Sequence, residues 1–202
     1  MRIKIIGAGL AGAEAAFQAA KRGLEVVLYE MKPKAFSPAH KSPNFAEVVC
    51  SNSFKSDDPS TASGLLKEEL RLLGSRLIEI AEETRVPAGS ALAVDRELFS
   101  KRVTEELLKL RNVTVKTETV ADLEAGRDEI LIVATGPLTH ESLLPALKKI
   151  CGEFLYFFDA VAPIVTAESV DMEHAFVGGR YGKGEDYVNC PMTKDEFLRF
   201  WE

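Results

Sequence analysis

Gly7, Gly9 and Gly12 stand in a G-x-G-x-x-G spacing, and Glu30 follows eighteen residues after the last of them. That arrangement suits the binding of a diphosphate. Gly7 permits a tight turn, Gly9 lets the backbone approach a pyrophosphate, and Gly12 lets the next helix pack close to a sheet. The helix start offers unpaired N–H groups and the positive end of its dipole. Glu30 is then placed to accept from a ribose hydroxyl. Ala8, Leu10 and Ala11 fill the turn and belong to the same candidate set. These residues define a dinucleotide site without separating NAD from FAD.

Cys50 is the second candidate, in the run Cys50-Ser51-Asn52-Ser53. A thiolate is a strong nucleophile when nearby positive charge or a helix start lowers its pKa. Spacing alone favours the plainer role of a small buried apolar residue. Cys151 and Cys190 are far away and read as core residues. Three scattered cysteines with no CxxC pair exclude a disulfide framework, and a reducing cytoplasm is the default. His40, His140 and His174 lack metal-ligand spacing and read as surface or loop residues, so no metal is expected.

Stepping outward, the elements around these residues alternate. Ile3–Ile6 reads as a buried strand, Leu10–Arg22 as a helix, and Val26–Tyr29 as a second strand. Met31–Pro59 holds four prolines and reads as a long loop with a short element around Phe45–Cys50. Leu66, Leu70, Leu73, Leu77 and Ile80 make a helical stripe expected to pack in the core, with a kink at Gly74. Asp95 is the expected N-cap of a helix reaching Leu110. Val113–Val120 reads as one or two strands, and the apolar run Ile130–Ala134 as a buried parallel strand ending on Thr135-Gly136. Glu141–Ile150 is helix-like. Gly178–Gly184, with Arg180 and Lys183, lacks P-loop spacing and reads as a hairpin turn. By pattern alone, Val120 is a core valine, and Thr135-Gly136 is equally a simple turn or a ligand turn.

Strands alternating with helices predict an α/β fold with a doubly wound parallel sheet. The expected division is residues 1–150 as the dinucleotide-binding part and 151–202 as the start of a second domain. Of 202 residues, 46% are hydrophobic and 28% charged, an ordinary globular composition. No run approaches the roughly 18 apolar residues of a membrane span. A net charge of −6 argues against wholesale coating by nucleic acid.

The runs GAGLAGAEAA, LYEMKP, FAEVVCSNS, LLKEEL, VPAGSALAVDR, IVATGPLT, LYFFDAVAPIV and NCPMT resemble the folate- and FAD-dependent tRNA (uracil-5-)-methyltransferases. That family is related to the glutathione-reductase-type flavoproteins. The resemblance extends along essentially the whole chain, and CSNS and PAGSALAVDR are far more specific than the glycine turn. It implies FAD on the turn, Thr135-Gly136 as the second flavoprotein turn, and Val120 near the adenine. It implies that methylenetetrahydrofolate supplies a one-carbon unit, which passes through reduced flavin to C5 of a uridine in the tRNA T-loop. NADH or NADPH reduces the flavin. It makes Cys50 one of two catalytic cysteines, as nucleophile or as acid/base.

Members of that family are longer than this chain. The part beyond Glu202 would hold the second catalytic cysteine and segments that complete the flavin site and the sheet. The alternative to an active methyltransferase is therefore a fragment or shortened paralogue that binds FAD or RNA without turnover. The loop Met31–Ser56 carries Lys32, Lys34, Lys41 and Lys55 against Glu47. It reads as a solvated loop first, and as a contact for RNA phosphates or a folate glutamate tail second.

Overall fold

The computed structural model describes residues 1–152, 165–179 and 185–201. The chain runs β1 (Arg2–Ile6), α1 (Leu10–Lys21), β2 (Glu25–Glu30), β3 (Ser53–Ser56), α2 (Ala62–Leu72) and α3 (Arg76–Glu83). It continues through β4 (Arg85–Val86), β5 (Ala91–Val94), α4 (Arg96–Lys109), β6 (Val113–Thr117) and β7 (Glu129–Val133). A 3-10 turn at Glu141–Leu143 enters α5 (Leu144–Cys151), and β8 (Phe176–Val177), β9 (Val188–Asn189) and α6 (Lys194–Trp201) follow.

Four strands form a parallel sheet in the order β6-β2-β1-β7. Ile5 lies opposite Leu28 on one side and Ile132 on the other. Strand alternation therefore puts Ile3, Ile5, Val26 and Leu28 on one face, which α1 and α4 cover. Ala13 and Ala16 are fully buried on α1, and their small side chains let that helix lie close to the strands. Phe99, Val103 and Leu107 of α4 fill the remaining space. Each large side chain buried this way contributes about 1.5–3 kcal/mol of transfer free energy. On the opposite face, the ammonium groups of Lys4 and Lys116 sit 5.1 and 5.3 Å from the Tyr29 ring. The α/β class with a parallel sheet is the one predicted.

Several local expectations fail for physical reasons. The run Ile130–Ala134 does form a parallel strand, but β7 ends the strand order, and Ile130 is 47% exposed. An apolar run does not distinguish a central strand from an edge one. The stripe from Leu66 to Ile80 is two helices. Thr61 and Ser75 each cap one through a side-chain oxygen, and Gly74 stands between them. Ile78, Ile80 and Ala81 of α3 are buried, whereas Leu65, Leu66, Leu72 and Leu73 face outward. Only part of the stripe is core. The element expected around Phe45–Cys50 is irregular chain, although Phe45, Ala46 and Val48 are buried. Strand β3 forms just after it and pairs antiparallel with β5.

Glu14 of α1 locks α3 in place. Its carboxylate accepts from Ser75 Oγ at 2.8 Å and from the Leu77 N–H at 3.0 Å. It thereby satisfies donors that a helix start leaves unpaired. Arg76 forks onto Glu106 of α4, with Nε–Oε2 and Nη2–Oε1 both 2.6 Å. β8 pairs antiparallel with β9, which flanks the predicted hairpin, while Arg180, Lys183 and Gly184 lie outside the described residues. LYFFDAVAPIV lies outside them except for its last residue. Cys151 and Cys190 are exposed, against the expectation of core positions. Among the described residues, no helix is long and apolar enough to cross a membrane.

Candidate functional site

A cavity of about 510 Å³ opens at the C-terminal ends of β1, β2, β6 and β7. This is where parallel sheets bind ligands, because the helix starts and the loops gather there. Its floor is the glycine turn, and Gly7, Ala8, Gly9, Leu10 and Ala11 all line it. Gly7 takes φ +98°, and a Cβ there would meet Ala134 O at 2.6 Å, so the first turn sits hard against the second. A Cβ on Gly12 would lie 1.8 Å from Gly7 O. Gly12 therefore stays out of the cavity wall and seats the helix beneath the turn, as its predicted packing role requires.

Gly9 is different. A Cβ there would meet nothing within 4 Å, so the space above it is open. Gly9 is also the N-cap of α1 and brings no side-chain acceptor, and no acidic residue occupies the first turn. The N–H groups at the start of α1 are thus left without a protein cap beside the open cavity. That is the arrangement an anionic group requires.

Glu30, at the end of β2, is 6% exposed and lines the cavity. Its Oε2 accepts the Ala8 N–H at 2.9 Å and its Oε1 accepts the Lys32 N–H at 3.0 Å. The carboxylate braces the glycine turn against the start of the next loop, a task that spacing alone does not reveal. Each oxygen keeps a further lone pair for a hydroxyl.

The long loop closes one side. Its backbone meets the turn where the Ala46 N–H donates to Ala8 O at 2.8 Å. Its far wall is tied to α4 where the Phe45 N–H donates to Thr104 Oγ1 at 2.8 Å. Lys32 is 5% exposed, so the solvated-loop expectation fails for this lysine. Its ammonium donates to Asn44 O and pairs with Glu47 at 3.4 Å. Glu47 Oε1 also accepts the N–H groups of Lys41 and Ser42 at 3.0 and 3.1 Å. Cys50 is exposed and lines the same cavity, so the buried apolar role does not describe it.

Val120, Thr135 and Gly136 form the opposite wall. Thr135 Oγ1 lies 2.6 Å from Thr139 Oγ1, which donates to Gly136 O at 2.9 Å and holds that turn shut. Val120 O accepts from Ser142 Oγ at 3.3 Å. Apart from Gly12, every residue predicted for the site lies on this one cavity. His40 and His140 are among the wall residues that the sequence does not assign to the site. Neither sits in a recognisable spacing. Burial first, then the nearby Lys32 ammonium, push the His40 imidazole below its ordinary pKa, while Glu47 and Glu30 pull the other way. Among the described residues, no group of three or more His, Cys, Asp or Glu side chains is gathered as a metal site.

A parallel sheet, a glycine turn feeding an uncapped helix and an acidic residue at the end of the second strand define a dinucleotide-binding α/β protein. The family "Glucose inhibited division protein A" matches residues 2–202, and the chain belongs to it. It is 54% identical over its whole length to "Methylenetetrahydrofolate--tRNA-(uracil-5-)-methyltransferase TrmFO" of Thermotoga sp. (strain RQ2), and spans 46% of that protein. The same-named protein of Dictyoglomus turgidum is 57% identical, again over the whole of this chain and 46% of its own length. The resemblance drawn from the motifs is thus borne out over the entire chain. The chain spans about half the length of these curated relatives. Among solved structures, Aquifex aeolicus GidA aligns with a TM-score of 0.53 at 16% identity, over 67% of this chain and 25% of that one, a likeness of fold.

Proposed function

We propose that the cavity is the site of a flavoprotein that methylates C5 of a tRNA T-loop uridine, with FAD on the glycine turn. In this reading residues 1–150 are the FAD-binding part and 151–202 begin a second domain. The observation that carries the reading is the meeting of the glycine turn, the Thr135-Gly136 turn and Cys50 on one cavity. The open space over Gly9 and the uncapped start of α1 fit the diphosphate. Glu30 is placed to accept a ribose hydroxyl with its spare lone pairs. Val120 would border the adenine.

Bound flavin would supply the electrons and carry the one-carbon unit taken from methylenetetrahydrofolate, with NADH or NADPH as the reductant. The chain's own contribution is positioning and a thiol. C5 of uracil is a weak nucleophile until a thiolate adds at C6 and makes an enolate. Cys50 is exposed to the cavity and can play that part or exchange a proton there. The TrmFO names of relatives more than 50% identical to this chain support the tRNA and folate assignment.

The test is incubation of the purified chain with T-loop RNA, methylenetetrahydrofolate, FAD and NADPH, followed by nucleoside analysis for 5-methyluridine. Methylated product supports the whole reading. Flavin retained without product reduces it to a binding module. A protein that takes up no flavin overturns the cofactor assignment itself.

A further inference from the structure

His40 lines the cavity, and the reading above gives it no task. Its ring is fixed by Ser37, whose Oγ lies 2.5 Å from Nδ1. The same Oγ accepts the N–H groups of Ala39 and His40, each at 3.3 Å. A hydroxyl has one proton and two lone pairs. The Ala39 amide and the His40 amide, the latter shared with Ser37 O at 3.3 Å, point their protons at this oxygen, an arrangement that favours the hydroxyl proton on the Nδ1 side and Nδ1 as acceptor. In a neutral imidazole the ring's own proton is then on Nε2.

The surroundings disfavour the protonated ring. It is partly buried and close to Lys32, and these two effects outweigh the carboxylates of Glu47 and Glu30. Nε2 has no partner among the described residues. The wall therefore holds an N–H donor on the cavity that Glu30 also lines, the residue that braces the glycine turn through Ala8. A donor beside a diphosphate turn serves an acceptor oxygen with no proton of its own.

We propose that His40 is a dinucleotide-binding residue whose Nε2–H donates to a phosphoryl oxygen of the ligand held on the glycine turn. The proposal rests on the flavin reading of the cavity. A diphosphate diester stays anionic at all ordinary pH values. A neutral donor binds it modestly, and an imidazolium at the same place binds it more tightly. FAD affinity should therefore rise as pH falls through the His40 pKa, because the bound anion favours the protonated ring.

The experiment is FAD titration by flavin fluorescence at stepped pH, from about pH 8 down past the ordinary histidine pKa, because His40 titrates below that value. Wild type is compared with His40→Ala and His40→Gln, with melting curves run alongside. The expected loss for His40→Ala at neutral pH is about three- to tenfold, the worth of one neutral hydrogen bond. His40→Gln offers an uncharged donor, so it should recover part of that loss and show a weaker response to acid than wild type. Should His40→Ala fail to fold, the Gln variant decides. Equal affinity and equal pH response in wild type and the Gln variant overturn the proposal and leave the flavin reading standing. No FAD binding by wild type overturns both.

Discussion

The carboxylate of Glu30 holds the N–H of Ala8 at 2.9 Å, twenty-two residues back along the chain. The acid at the end of β2 is thus part of the support of the glycine turn. Replacing Glu30 with Ala leaves the N–H groups of Ala8 and Lys32 without their acceptor at a position that is only 6% exposed. Each orphaned donor costs about 1–3 kcal/mol. Glu30→Ala should melt several degrees below wild type and lose flavin affinity as well. Glu30→Gln keeps one acceptor oxygen and should fall between them. Thermal denaturation with and without FAD checks both.

Gly9 and Gly12 should separate binding from folding. A methyl at Gly12 collides with Gly7 O at 1.8 Å, so Gly12→Ala must move backbone and should yield little stable protein. A methyl at Gly9 meets no protein atom within 4 Å, so Gly9→Ala should melt as wild type does. It stands where a phosphate would approach, however, and should weaken FAD binding by tenfold or more, on the order of 1.4 kcal/mol or above. Equal flavin affinity in Gly9→Ala and wild type would show that the ligand does not approach over this glycine.

Cys50 lies in the wall with no hydrogen-bond partner among the described residues, and its neighbour Ser51 supplies the local turn by accepting the Ser53 N–H. Cys50→Ser should therefore fold and bind FAD normally. In any assay that yields 5-methyluridine, it should abolish product. Product formation at the wild-type rate would remove Cys50 from the chemistry.

The pairing of Arg76 with Glu106 predicts a pH dependence of stability. The Arg76 hydrogen bonds hold the Glu106 carboxyl below its ordinary pKa, against the opposing effect of burial. A carboxyl lowered in the folded state stabilises the fold above its unfolded pKa, and that contribution disappears as pH falls through the folded value. Arg76→Gln should cost on the order of 1 kcal/mol at neutral pH. The gap from wild type should close as the solution is acidified below the carboxylate range, which urea titrations at stepped pH will show.

The parts of this protein that sequence reveals are those where cause and effect lie close together. The glycine turn, its helix and the Asp95 cap each depend on residues within a turn or two, and each forms as read, with Asp95 Oδ1 accepting the Leu98 N–H at 3.0 Å. The errors come from distance. Lys32 looked solvated because Glu47, the residue that pairs with it, is fifteen positions on, across an irregular loop. The leucine stripe was misjudged because its period runs straight through Gly74, where one helix stops and another starts. β7 is read as buried but lies at the end of the strand order, because an apolar run says nothing about that order. His40 and His140 were missed for a related reason. A histidine in a cavity wall carries no spacing, and only the folded chain brings it onto the cavity that Glu30 lines.

The exposure of the cysteines has a practical side. Cys50, Cys151 and Cys190 all reach solvent, so dissolved oxygen and peroxide find three thiols on one small molecule. Accessible thiols oxidise to sulfenic acid and then to mixed or intermolecular disulfides. Cys50 can therefore be modified during storage, and if its thiol acts as proposed, a preparation aged without reductant should lose product as the Cys50→Ser variant does.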